Sequence, residues 1–273
     1  MDRPARSNLT IRVLTTAVVA PPLLLLLFLG PVWGWTALIF CATTLSAVEF
    51  FQLSHPRDGV SRAAGLLLTM GYSAALYFGD ASPRVLITLL VALPLASLLL
   101  ALLRPGDIST AGARIAATSF GPLWVSMLMF LALLRRDQGA DGPGFVLMSL
   151  MFAWLADTGG YFAGRFFGRR PLYPAISPKK TVEGLIGALL SALAGALLAH
   201  YWYLPVIPLR EALPLALASG LLGQLGDLGE SLLKRGAGVK DSGEIVPGHG
   251  GMLDRLDALF VTSAVVYLYT RWR

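Results

Sequence analysis

Charge is scarce in this chain. Of its 273 residues only 14% are Asp, Glu, Lys or Arg, whereas the surface of a soluble domain alone needs about 25–35%. That excludes an ordinary soluble globular protein. Cysteine is almost missing: Cys41, inside an apolar run, is the single one. No intrachain disulfide can form, and cysteine usage leaves the redox compartment undetermined. Acidic residues are outnumbered 16 to 22, a net charge of +6. In so apolar a chain, basic cytoplasmic loops and phosphate contacts account for the excess better than nucleic acid does. There is no internal repeat and no low-complexity linker. Small-x-small cleavage residues do not follow the first leucine run, where Pro31, Val32 and Trp33 stand, so an uncleaved first span is expected.

What is abundant is apolar sequence: 55% of residues, with a mean hydropathy of +0.67. Nine stretches come near the ~20 residues that cross a bilayer: 11–30, 32–53, 63–79, 83–103, 113–135, 144–163, 183–203, 211–230 and 256–272. The third and ninth are short and the eighth carries polar residues, so seven to nine spans are expected, with Pro21 and Pro22 kinking the first. The predicted fold class is all-α, a polytopic membrane helical bundle of about nine transmembrane helices. It divides into N-terminal transmembrane helices (1–143) and a catalytic transmembrane region with cytoplasmic loops (144–273). With an inside N-terminus, sixteen of the 22 lysines and arginines fall on one side and six on the other. That asymmetry predicts N-inside and C-outside, against the pull of Arg135, Arg136 and the basic C-terminus. Both large polar segments, after the sixth and eighth spans, then face the cytoplasm.

Those segments carry the chemistry. A carboxylate at the centre of a membrane helix costs roughly 3 kcal/mol, so charged groups beside a bilayer usually mark a site. In the first segment Asp157, Tyr161, Gly164 and Gly168 share one helical face. Gly160, Gly164 and Gly168 form a ladder suited to close helix contact, and Gly187, Ser191 and Gly195 read as packing alone. Ser177 followed by Pro178 reads as a helix start, which would put Lys179 and Lys180 at an anion-binding helix N-terminus. A plain positive-inside anchor is the competing reading.

In the second segment Asp227, Glu230, Ser231 and Lys234 crowd one helical face, and Asp254 and Asp257 open the ninth span three residues apart. Surface salt bridging covers Glu230 with Lys234 but not Asp227, one turn deeper. Carboxylates on adjacent helices can grip Mg²⁺ bound to substrate phosphates; an extended charge network is the alternative. His249, between Gly248 and Gly250-Gly251, is a candidate substrate contact, with structural use equally open.

Ser231, Lys234-Arg235, Lys240-Asp241, Gly243, Pro247, His249-Gly250-Gly251, Asp254-Arg255 and Asp257 together resemble the C-terminal signature of the phosphatidate cytidylyltransferases. Asp157, Tyr161, Gly164, Ser177-Pro178-Lys179-Lys180-Thr181 with Glu183-Gly184, and Gly223-Gln224 with Gly226-Asp227, are similar to further shared segments of that family. The resemblance runs from about residue 154 to the C-terminus; upstream, only multi-span hydrophobicity matches. Ala258 departs from it, standing where a serine is expected.

The resemblance implies CTP + phosphatidate → CDP-diacylglycerol + pyrophosphate, in an integral, multi-pass protein of the cell inner membrane with its site on the cytoplasmic face. It implies catalytic roles for Asp227, Lys234, Arg235, Lys240, Asp241, His249, Asp254, Arg255 and Asp257. Substrate binding falls to Asp157, Tyr161, Ser177, Lys179, Lys180, Thr181, Glu183, Gly250 and Gly251. Asp227, Asp254 and Asp257 would hold one or two Mg²⁺ ions, and the family implies a homodimer. A CTP-dependent enzyme of isoprenoid or polyprenol lipids stays open as an alternative. A CDP-alcohol phosphotransferase is disfavoured by the absent D-x-x-D-G-x-x-A-R core. A transporter is disfavoured because the ionisable residues gather at one face instead of near the midplane.

Overall fold

Apolar runs of this length leave the backbone no partner but itself, and helices satisfy it internally. The computed structural model describes residues 18–243 and 250–273. Its helices are α1 (Val18–Phe28), α2 (Val32–Ser54), α3 (Gly59–Phe78), α4 (Pro83–Leu103), α5 (Ala111–Val125), α6 (Met129–Asp137), α7 (Gly142–Phe167), α8 (Val182–Leu198), α9 (Leu209–Gly236) and α10 (Leu253–Trp272). Among the described residues five segments are long and apolar enough to cross a membrane: Val32–Ser54, Pro83–Leu103, Ile108–Asp137, Gly139–Phe167 and Val182–Tyr203. The protein is thus a helical integral membrane protein. The expected stretch 113–135 is not one helix. It breaks at a 3₁₀ turn, Ser126–Leu128, one turn after Pro122, whose missing N–H weakens the helix there.

One part of the all-α expectation needs correcting. Between α7 and α8 lies an antiparallel hairpin of β1 (Pro171–Tyr173) and β2 (Ser177–Thr181). Ser177, Pro178, Lys179 and Lys180 therefore lie in a strand and do not start α8. The cap is Thr181, extended at φ −125° and ψ 157°, whose side chain accepts from Gly184 N at 3.1 Å. Pro178 biases its neighbour toward extended backbone, and the β-branched Thr181 serves both strand and cap.

Side-chain bonds tie the helices at two ends. At one, Arg135 donates to Leu27 O (2.9 Å) and Gly30 O (3.3 Å), and Arg136 donates to Tyr77 O (2.5 Å) and pairs with Asp80 (2.7 Å). The two arginines satisfy carbonyls just past or within the last turns of α1 and α3, where cations are favoured. Glu211 accepts from Tyr269 OH at 2.6 Å in the same layer. The other end gathers the close of α2, α7 and α9 with the start of α8 and α10. There Asp58 caps α3 from Val60 N and Ser61 N, and the Ser61 hydroxyl holds the Asp58 carboxyl below the usual carboxylate range. Between the ends runs a core that includes Trp35, Phe51, Phe152 and Phe260, with Trp35 Nε1 donating to Leu131 O at 3.2 Å.

Helices α7 and α8 approach closely where glycines face each other. A Cβ on Gly159 would lie 1.9 Å from Ser191 Oγ, and one on Gly187 would lie 2.2 Å from the Ala163 methyl. Of the predicted ladder, a Cβ on Gly160 would lie 3.4 Å from the Ala188 methyl and one on Gly164 3.7 Å from Gly184 Cα, so it packs toward α8, although the tightest position of α7, Gly159, lies outside that spacing.

Candidate active site

The close contact of α7 and α8 brings Asp157, Tyr161 and Gly164 onto a face that looks toward α9 and the hairpin. There they line a cavity of about 540 Å³ with Arg165, Lys179, Lys180, Thr181, Gln224 and Asp227. That volume suits a small-molecule ligand. Lys180 reaches from β2 to α9, its Nζ 2.6 Å from Asp227 Oδ2; the Nζ is buried and makes no aligned hydrogen bond. Asp157 Oδ1 accepts from Gln224 Nε2 at 3.2 Å. Tyr161 OH accepts from Arg165 Nη1 at 2.7 Å, a basic residue that spacing alone did not bring to the site. Ser231 Oγ lies 3.5 Å from Asp227 Oδ1. The wall thus mixes cations that can meet phosphates with carboxylates that can meet a hard metal.

Asp257 joins this group from α10. Its charge interacts with those of Asp227, Glu230 and Asp157, and its Oδ1 accepts from Ala258 N at 2.7 Å. Arg255, on the same turn, interacts electrostatically with Asp157. Three carboxylates from α7, α9 and α10 therefore converge. Among the described residues no three His, Cys, Asp or Glu side chains form a ready-made metal cage. Oxygen donors of this kind fit a Mg²⁺ shared with substrate phosphates, which needs only one or two carboxylates from the protein.

Two expected site residues stand elsewhere. Lys234, expected among the catalytic residues, is 8% exposed; its Nζ lies 3.0 Å from Glu230 Oε1 and is bonded to Asp254 Oδ1. The expected surface pair is thus a buried triad, with Glu230 at 0% exposure. Asp254, expected as a metal ligand, has both oxygens engaged by protein. Oδ1 meets Lys234, and Oδ2 accepts from Ser242 N (2.8 Å), Ser242 Oγ (2.9 Å) and Gly251 N (3.0 Å). Lys234 and Asp254 are thus fully engaged, whereas Glu230 has only its ion pair with Lys234, neither of its buried oxygens making an aligned hydrogen bond, so loss of the lysine would be costly.

The remaining expected residues divide. Glu183 Oε2 accepts from Arg169 N (3.0 Å) and Arg170 N (3.2 Å), so it ties the end of α7 to the start of α8. Arg235 Nη1 donates to Val239 O at 2.9 Å. Lys240 and Asp241 are exposed. Gly250 has φ +84°, and a Cβ there would lie 3.1 Å from Asp254 Oδ2, two reasons for glycine. His249 lies outside the described residues, as do Pro247 and Gly248. Glu49 of α2 was missed: it is 1% exposed and reaches the start of α10. A lone carboxylate inside the apolar run 32–53 was the signal that could have found it.

On another face of the same stretch of α9 the surface is apolar. Gly226, next to Asp227, borders a cleft of about 490 Å³ with Phe120, Trp124, Leu225 and Val261. A polar, phosphate-suited cavity beside an apolar cleft, in a bundle of membrane-length helices, defines an enzyme class: one that joins a soluble anion to a lipid at the bilayer surface. The chain belongs to the cytidylyltransferase family, whose model matches residues 10–272. It is 32% identical over 251 residues to a phosphatidate cytidylyltransferase of Staphylococcus haemolyticus, covering 89% of this chain and 92% of that protein. A Bacillus subtilis protein of the same name is 40% identical over 147 residues, 54% of this chain and 55% of that one. One from Staphylococcus aureus is 44% identical over 122 residues, 45% of this chain and 47% of that one.

Proposed function

We infer that the protein transfers the cytidylyl group of CTP to phosphatidate, forming CDP-diacylglycerol and pyrophosphate. The observation that carries this is the cavity where Lys179, Lys180 and Arg165 face Asp157 and Asp227, in a chain whose relatives bear that enzyme's name. A phosphate oxygen of phosphatidate attacks the α-phosphorus of CTP, and the bond from that phosphorus to the bridging oxygen of the β-phosphate breaks. The electron pair leaves with pyrophosphate. The nucleophile is already an anion, so no proton-abstracting triad is required. The task is to hold two anions together, by position and charge.

Lys179, Lys180 and Arg165 neutralise phosphate oxygens on the cavity side, and Arg255 does so from α10. Asp227 and Asp257 would hold Mg²⁺, one ion or two, with Asp157 beside them. When bound, the ion would supply charge neutralisation of the phosphates. Asp254 serves this set by anchoring the turn that carries Asp257. The apolar cleft beside Gly226 is the surface along which acyl chains lie.

We propose further that all nine helical stretches cross the cell inner membrane, N-inside and C-outside, with the cavity on the cytoplasmic face. The division of lysines and arginines, sixteen against six, supports that orientation. A homodimer, which the family resemblance implies, is checked by the mass of the detergent-solubilised protein.

Purified protein with radiolabelled CTP and a panel of phosphatidate, isoprenoid phosphate and polyprenol acceptors tests the reading. Labelled CDP-diacylglycerol is expected from phosphatidate alone, with loss in EDTA and recovery on adding Mg²⁺. Asp227→Asn should lose turnover by about 10²-fold or more, the scale of a removed transition-state contact. Transfer to another acceptor would reassign the substrate, and undiminished turnover in EDTA would remove the metal.

A further inference from the structure

Glu49 is the only charged residue of α2, sits in the N-terminal half of the chain, and touches nothing in the cavity described above. Its carboxylate is nonetheless saturated. Oε1 accepts from Met252 N at 2.9 Å, and Oε2 accepts from Leu253 N at 2.8 Å and from Ser242 Oγ at 2.8 Å. Helix α10 has no side-chain cap of its own. Its leading amides are satisfied instead by a residue some 200 positions earlier, where a negative charge is also favoured by the helix dipole.

Two glycines show how tightly this anchor is enclosed. A Cβ on Gly243 would lie 2.6 Å from Glu49 Oε1, and one on Gly251 would lie 2.3 Å from Oε2 and 2.1 Å from Ser242 Oγ. Gly243 lies in the segment after α9, and Gly251 stands just before α10. The Ser242 hydroxyl sits between the two carboxylates, Glu49 on one side and Asp254 on the other, and Asp254 continues to Lys234 and Glu230. A buried chain of polar contacts therefore runs from α2 through Ser242 and Asp254 to α9. One helical turn past it, α10 presents Arg255 and Asp257.

We propose that Glu49 is a positioning residue of the cytidylyl transfer inferred above: from α2 it fixes where α10 begins, and so sets Asp257 and Arg255 against Asp227. The charge matters as well as the volume, because a backbone N–H points at each of its two oxygens and the one Ser242 hydroxyl proton is shared with Asp254. An amide in its place would turn an NH₂ toward at least one N–H or O–H donor. Substrate pockets on α7 and β2 are untouched by the exchange, so binding and turnover should separate.

The test compares wild type, Glu49→Gln, Glu49→Ala and Gly243→Ala in detergent. For Glu49→Gln we expect a folded protein with a lowered melting temperature, since a buried donor is left unpaired, and a kcat lower by about ten- to a hundredfold, the scale of a ~1 Å misplacement of reacting groups. KM for CTP should stay within about twofold. Amide hydrogen exchange supplies a readout that needs no activity: protection at 250–256 should fall in Glu49→Gln while α7 and α8 exchange as in wild type. Gly243→Ala, which pushes on the same carboxylate, should reproduce the kcat loss in milder form. Normal kcat in both Glu49→Gln and Gly243→Ala overturns the proposal, as does unchanged exchange at 250–256. So does failure of both glutamate variants to fold while Gly243→Ala turns over normally, which would leave Glu49 a stability anchor only. If wild type itself transfers nothing to phosphatidate, the inferred activity fails, and the exchange experiment still reports whether Glu49 holds α10.

Discussion

Lys234 lies 3.0 Å from a glutamate with no exposure at all, and replacing it strands that glutamate beside Asp254. Breaking one partner of a buried ion pair costs about 3–5 kcal/mol, whereas replacing the whole set with apolar groups is far milder. Lys234→Met should therefore lower the melting temperature sharply in detergent, and the pair Glu230→Leu with Lys234→Met should recover part of that loss. Lys179→Ala, in the cavity wall and exposed, should melt like wild type and chiefly raise the KM for CTP or lipid, since Lys180 and Arg165 still carry charge there. The sequence names both lysines with equal force. Spacing shows that Lys234 can share a face with Glu230, but not that the face is buried against α10. Asp157, Tyr161 and Asp227 were legible because helix periodicity placed them on faces that do meet. Glu49 was not, because its partners are backbone amides far along the chain, and no spacing encodes them.

At the scale of elements, the hairpin β1–β2 and the α7–α8 contact show two different limits. The helices were readable from apolar length, and the glycine ladder from its spacing of four. The hairpin hid behind a Ser-Pro pair whose local preference favours a helix start, and Thr181 four residues later took the cap. The α7–α8 contact can be broken selectively. Gly159→Val places side-chain atoms where Ser191 Oγ already stands 1.9 Å from the Cβ position; the strain should cost about 1–3 kcal/mol or more. Gly71→Ala in α3, where nothing lies within 4 Å, should instead be neutral or stabilising by about 0.5–1 kcal/mol. Thermal melts of the two variants side by side check the contrast.

For the whole molecule, the arginines that run against the predicted orientation have work of their own. Arg135 and Arg136 are engaged by carbonyls near the ends of α1 and α3, and Arg273 by Val206 O and Glu211. Single cysteines at Arg170 and Ala237 in a Cys41→Ala background test the orientation. Ala237 is preferable to Gly238, whose φ of +73° a cysteine would strain. Both positions should resist a membrane-impermeant thiol reagent in intact cells and label after permeabilisation; labelling of both from outside would invert the topology. The Lys180–Asp227 pair, 2.6 Å apart, has a consequence for how such a molecule fills. Within the cavity wall this cation is matched to an anion, which spares a half-buried site an open charge. Lys180 carries three donors, so a polyphosphate can draw it away from Asp227 or share it. On the reading proposed above, drawing it away would exchange one counterion for another and leave the Asp227 carboxylate for a cation, and loss of the polyphosphate would let the original pair close again.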